Sequence, residues 1–122
     1  IEAFLRSLRP RVDESMTLTA RIAGRIAEER AITRVDQIVS EFGIPLRSLQ
    51  RTFSEYVGVS PKWIIQRYRL MEAAERMAEG AVASFADLAL HLGYADQAHF
   101  IRDFKQFVGK TPAQYARSLV QR

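Results

Sequence analysis

The chain has 122 residues, 48% of them hydrophobic and 10% aromatic, which is enough for one compact domain with a buried core. It has no cysteine, so a disulfide scaffold and a cysteine-containing zinc site are excluded and a reducing cytoplasmic setting is expected. The formal charge of +4 is mild, no apolar run approaches the roughly 20 residues of a membrane span, and Ile1-Glu2-Ala3-Phe4 lacks the basic-then-apolar order of a signal peptide. A soluble chain with no membrane partner is therefore expected. The absence of an initiator Met further suggests the C-terminal piece of something longer.

Apolar residues recur at helical spacing and no strand-like alternation persists, so the fold is read as all-α. Phe4, Leu5 and Leu8 precede Arg9-Pro10-Arg11, and residues 1–17 read as a linker or as the tail of a missing domain. A helix is expected at about 18–30 on the stripe Leu18, Ile22 and Ile26. Thr33 with Asp36 resembles a capping box opening a short helix through Val35, Ile38, Val39 and Phe42, which Gly43 stops. The next helix, about 46–57, carries Leu49, Phe53 and Val57 on its inward face and ends before Gly58.

Ser60-Pro61 supplies a capping hydroxyl followed by proline at the first helical position. It opens a long helix at about 61–79, with an apolar face of Trp63, Ile64, Leu70, Met71, Ala74, Met77 and Ala78 before Gly80. Such a helix spans roughly 28 Å. Ser84 with Asp87 opens a helix through Leu88, Ala89 and Leu92 to Gly93; another covers about 96–108 with Asp96 as its cap; Thr111-Pro112 opens the last, through Tyr115 and Leu119.

Charge is unevenly placed. Residues 44–69 carry Arg47, Arg51, Lys62, Arg67 and Arg69 against Glu55, and residues 96–122 carry Arg102, Lys105, Lys110, Arg117 and Arg122 against Asp96 and Asp103. Between them Arg76 faces Glu72, Glu75, Glu79 and Asp87. Two basic segments flanking an acidic one suit a polyanion held at two places.

The internal repeat carries the most information. Val35, Ile38, Val39, Phe42 and Gly43 recur fifty positions later as Phe85, Leu88, Ala89, Leu92 and Gly93. Leu49, Arg51, Phe53, Tyr56, Val57, Gly58, Ser60 and Pro61 recur fifty-one later as Phe100, Arg102, Phe104, Phe107, Val108, Gly109, Thr111 and Pro112. Each copy is a short helix, a tight turn and a second helix with an outward Arg, which is the helix-turn-helix pattern; the linking helix approaches the roughly 34 Å repeat of B-DNA.

In that pattern the second helix enters the major groove and reads bases from residues near its N-terminus. With Leu49, Phe53 and Val57 inward, Arg47, Ser48, Gln50 and Arg51 are left on the reading face of the first copy. With Phe100, Phe104 and Phe107 inward, Gln97, Ala98, His99 and Arg102 line that of the second. Arg suits guanine O6 and N7, Gln suits adenine N6 and N7, and Ala98 offers a methyl contact. Lys62, Lys105 and Lys110 add cations beside the two faces. His99 reads as a base reader or, instead, as a hydrogen-bonding partner or capping aid, and His91 as structural or solvent-facing. No phosphate loop, nucleophile motif or helical His pair is present, so neither catalysis nor a metal or cofactor is expected.

The stretch Gly93-Tyr94-Ala95-Asp96-Gln97-Ala98-His99-Phe100-Ile101-Arg102-Asp103-Phe104-Lys105, then Gly109-Lys110-Thr111-Pro112-Ala113-Gln114-Tyr115, closely resembles the C-terminal DNA-binding domain of AraC/XylS-family transcription regulators. Arg47-Ser48-Leu49-Gln50-Arg51-Thr52-Phe53 leading to Gly58-Val59-Ser60-Pro61-Lys62 is the matching part of the first copy. The resemblance covers about residues 18–120. It implies a seven-helix domain over 18–122, with two helix-turn-helix subdomains on a linking helix that read successive major grooves. It also implies promoter binding, activation through RNA polymerase and an N-terminal sensing or dimerising domain outside this chain. Arg47, Gln50 and Arg51, with Gln97, His99 and Arg102, fall on the family's base-facing positions. Pro45 stands where a Ser cap is common, so the first reading helix is expected to begin differently; Ile101 replaces a small polar residue and either shifts a phosphate contact or deepens the core. The competing readings are a helical protein-interaction module, which needs an exposed apolar patch, and the DNA-binding part of a repair alkyltransferase, whose cysteine nucleophile this segment lacks.

Overall fold

A computed structural model describes residues 2–80, 82 and 84–120, with residues 2–13 described by their backbone alone. These residues hold seven helices and no strand: α1 (Glu2–Glu28), α2 (Val35–Phe42), α3 (Leu46–Tyr56), α4 (Pro61–Ala78), α5 (Phe85–His91), α6 (Gln97–Val108) and α7 (Pro112–Val120). They divide into two compact units between Ile65 and Gln66, within α4.

In the first unit α3 packs against α1 and α2 around Ile22, Ile26, Ile32, Ile38, Leu49, Phe53 and Ile65, all buried. Fully burying one such side chain contributes about 1.5–3 kcal/mol. Helix α1 starts at Glu2, well before the expected residue 18. Residues 2–17 contain no glycine, and the helix continues through Pro10, although proline removes one N–H from the ladder and crowds the carbonyl four residues before it. The side chains of Phe4, Leu5 and Leu8 lie outside the described residues.

The expected box between Thr33 and Asp36 is shifted by one residue. The N-cap is Arg34, whose side chain has no acceptor, and the third helical residue, Gln37, supplies the lock. Its Oε1 accepts from the backbone N–H of Thr33 (2.8 Å) and of Arg34 (2.9 Å), while its Nε2 donates to the Ala31 carbonyl (3.1 Å). Asp36 instead lies beside the exposed Arg34 guanidinium, at 3.2 Å from Nε. Gly43 closes α2 with φ 62°, a conformation that favours glycine. Pro45 is the N-cap of α3 and offers no side-chain hydrogen bond, as its chemistry requires. Val57, expected inward, is exposed because α3 ends at Tyr56 and the four-residue row stops with it.

Ser60 caps α4 as expected, its Oγ accepting from Trp63 N–H at 3.1 Å. The buried row of α4 differs from the expected one. Pro61, Ile65, Arg69, Ala73 and Met77, with Leu70, are buried, whereas Trp63, Met71 and Ala78 are exposed and Ile64 and Ala74 half-buried. A four-residue repeat containing an arginine is invisible to a search for apolar residues. Arg69 is 1% exposed and its Nη2 meets Glu72 Oε1 at 3.0 Å, so this cation of the first basic segment is internal.

The second unit packs Leu70, Ala73 and Met77 of α4 with Leu88, Ala89, Leu92, Tyr94, Phe100 and Phe104. Its rings form a chain: Tyr94 meets Phe100 at 5.6 Å between centroids, Phe100 meets Phe104 at 5.7 Å and Phe104 meets Tyr115 at 5.7 Å. Such pairs add about 0.5–1.5 kcal/mol each beyond area burial. Phe107 is only half-buried, with the Arg67 guanidinium 5.2 Å from its centroid. Ile101 packs against this core, which decides between the two roles open to it in favour of the core. Ser84 caps α5 by accepting from Asp87 N–H, and Thr111 and Gln114 form a complete capping box on α7.

Candidate nucleic-acid interface

Each candidate face follows from which side of its helix is buried. In α3, Leu49 and Phe53 are fixed in the first core, and Arg47, Gln50 and Arg51 lie on the opposite side at three- and four-residue spacing, all exposed. No other described residue engages these three side chains. Ser48 is half-buried, and its carbonyl accepts from the Thr52 hydroxyl, so it sits at the edge of the face. Lys62 is exposed on the first turn of α4.

In α6, Phe100 and Phe104 are buried and Gln97, Ala98, Arg102 and Lys105 are exposed, with Ala98, Arg102 and Lys105 in one row. Lys110 is exposed just beyond Gly109. Asp96 caps α6 through Oδ1, which accepts from His99 N–H at 2.8 Å. The free N–H groups and positive dipole end of such a helix favour an anion.

His99 differs from the other candidate residues. Its Nε2 lies 3.3 Å from Asp103 Oδ2, and its ring meets Tyr94 edge-on at 5.1 Å. The Tyr94 hydroxyl donates to the same Asp103 oxygen at 3.0 Å. Burial first, and then the Asp103 charge and hydrogen bond, push the Tyr94 phenol well above its ordinary range. Sequence reasoning left Tyr94 and Asp103 out of the site. The signal was present in the four-residue spacing of His99 and Asp103. His91 is exposed on α5.

Among the described residues no group of three potential ligands is placed to hold a metal ion, and no helix is long and apolar enough to cross a membrane.

A family model described as a helix-turn-helix domain matches residues 38–118, covering α3 to α6 whole and most of α2 and α7. The chain belongs to the AraC-type helix-turn-helix family of transcription regulators. It is 34% identical over 82 residues to the probable transcription factor PqrA of Proteus vulgaris, covering 67% of this chain and 66% of that protein. It is 31% identical over 77 residues to the HTH-type transcriptional activator RhaS of Escherichia coli O157:H7, covering 63% of this chain and 27% of that one. The virulence regulon transcriptional activator VirF of Yersinia enterocolitica is 29% identical over 82 residues, covering 66% of this chain and 30% of that one. The chain thus spans between about a quarter and two thirds of the length of these curated relatives.

Two solved structures share the fold at 22% identity and a TM-score of 0.70. One is the C-terminal domain of AraT, a response regulator from Geobacillus stearothermophilus, covering 82% of this chain and 84% of that one. The other is a probable AraC family transcriptional regulator from Rhodopseudomonas palustris, covering 83% of this chain and 95% of that one.

Proposed function

We propose that this chain binds double-stranded promoter DNA in a sequence-specific way and takes part in transcription activation, with α3 and α6 entering the major groove. One observation carries the reading: both copies of the repeat present exposed Arg and Gln side chains opposite the buried side of their second helix, Arg47, Gln50 and Arg51 in one and Gln97 and Arg102 in the other. Arg47, Gln50, Arg51, Gln97, Ala98, His99 and Arg102 then face bases, with Ser48 at the edge. Lys62, Lys105 and Lys110 hold phosphates. Membership of a regulator family favours this reading over a helical interaction module or an alkyltransferase fragment.

In the whole protein we assign no catalysis, contact with RNA polymerase, a cytoplasmic location, and a preceding sensing or dimerising domain reached through residues 1–17. The activators RhaS and VirF, whose length the chain covers only to 27% and 30%, support that last assignment.

The experiment is a fluorescence anisotropy salt series on duplexes selected from a random library. For about five phosphate contacts the log–log slope is expected at about −4 to −5. A slope near zero, or equal affinity for single-stranded or RNA competitors, overturns the reading.

A further inference from the structure

We propose that Asp103, supported by Tyr94, is a positioning residue that sets His99 as a hydrogen-bond acceptor toward DNA, so that the base under His99 is one that carries an amino group, adenine or cytosine. The inference rests on the DNA-binding reading above and deepens it at one residue of α6.

His99 is the third residue of α6, near the helix end that meets base edges, and its backbone is fixed by the bond to Asp96. Its side chain is 44% exposed, while that of Asp103 is 23% exposed. One Asp103 oxygen, Oδ2, receives the Tyr94 hydroxyl at 3.0 Å and faces His99 Nε2 at 3.3 Å. The buried Tyr94 ring also meets the imidazole, edge-on at 5.1 Å with an interplanar angle of 84°. The ring is held by a charge contact and an aromatic contact together.

A neutral imidazole carries one proton on two nitrogens, and the group beside one nitrogen decides which. At 3.3 Å a carboxylate oxygen attracts an N–H and repels a bare lone pair, so the proton sits on Nε2. Nδ1 is then the ring's only remaining polar atom, an acceptor that no other described residue engages. In the major groove the matching donors are adenine N6 and cytosine N4; guanine O6 and N7 and thymine O4 are acceptors and are disfavoured. The other reading residues behave differently. Arg47, Arg51 and Arg102 only donate, and Gln50 and Gln97 offer both kinds of group.

Two measurements test this. The first needs no DNA: nitrogen-15 NMR of the labelled chain at about pH 8.5, above the ordinary imidazole range near 6.5. The wild type is expected to show His99 as the Nε2–H form, with the exposed His91 as reference. Asp103→Ala is expected to release it toward a mixture of both forms. An Nδ1–H form, a doubly protonated ring, or an unchanged signal in Asp103→Ala overturns the proposal.

The second is duplex selection with the wild type, His99→Ala, Asp103→Ala, Asp103→Asn and Tyr94→Phe, each checked for helical content. The wild type is expected to select adenine or cytosine at one position that His99→Ala frees. Asp103→Ala is expected to lose about three- to tenfold of that preference, with Tyr94→Phe losing less. The positions read through Arg51 stay unchanged. Asp103→Asn preserves volume and serves if the alanine variant does not fold. If the wild type selects a site but both Asp103 variants keep the same preference, this proposal alone fails. If the wild type selects no duplex, the DNA reading fails and the base preference falls with it, whatever the NMR shows.

Discussion

The two copies of the repeat use the same punctuation and different cores. Gly43 and Gly93 take positive φ at corresponding turns, and Ser60 and Thr111 cap the helices that follow the second element of each copy. Yet the first core is largely aliphatic, with Phe53 its only buried ring among the described residues, while the second is a run of four rings from Tyr94 to Tyr115. The second helices of the two copies diverge too. Helix α3 begins at an uncapping Pro45 and presents unrestrained side chains, whereas α6 is capped by Asp96 and holds His99 against Asp103. What a helix-turn-helix fixes is its turns and its direction of burial; the filling of the core and the stiffness of the reading face vary freely. Side chains ordered before binding lose less freedom on contact, so the second copy is expected to discriminate bases more sharply.

The largest effect expected from this contrast is on stability. Phe104→Ala removes the ring that joins Phe100 to Tyr115 and is expected to cost about 3–5 kcal/mol in urea unfolding. Phe104→Leu and Phe53→Leu separate aromatic from apolar filling, and equal losses for the two would break the contrast between the cores. Arg51→Ala and Arg102→Ala come next, each expected to cost about 1–3 kcal/mol of binding to a selected site and to relax preference at different base pairs. Arg76→Ala, in the acidic segment, is expected to change little. Losses mapping to the same base pair would end the reading in which each copy takes its own segment. Asp96→Ala deletes a cap for which Pro45 has no counterpart and is expected to cost about 1 kcal/mol by thermal unfolding.

The smallest effect concerns alkaline pH. Because burial and Asp103 raise the Tyr94 phenol above its unfolded value near 10, the unfolded chain loses that proton first. Stability from this group is present below about pH 10 and falls above it. Tyr94→Phe is expected to flatten the decline between about pH 10 and 11 in a series of unfolding curves; an identical decline in both proteins removes Tyr94 as its source.

Much of the architecture was legible because helix boundaries are written in local chemistry. Ser60, Ser84, Asp96 and Thr111 act as the caps their positions predict. The inward faces of α3 and α6 follow from Leu49, Phe53, Phe100 and Phe104. What local chemistry does not carry is tertiary choice. The buried row of α4 contains Arg69, and Trp63 and Met71 lie outside it, so residue type placed Leu70 and Met77 correctly but not the rest of the face. The lock on α2 uses Gln37 because the structure places the cap at Arg34, one residue later than Thr33 suggests. The exposed faces opposite Leu49, Phe53, Phe100 and Phe104 were legible from the inward spacing, but the contact of Tyr94 and Asp103 with His99 depends on a turn and a helix meeting in space.

The exposure of Trp63 gives the molecule an optical property. The chain's single tryptophan stands on the first turn of α4, 44% exposed, in the first unit, while Tyr94 and Tyr115 lie in the ring chain of the second. Emission from the indole therefore reports on the first unit without any label, while near-ultraviolet ellipticity sums Tyr56 and Trp63 of the first unit with Tyr68, Tyr94 and Tyr115 of the second. Melting curves recorded at the two signals show directly whether the repeat unfolds as one cooperative body or as two.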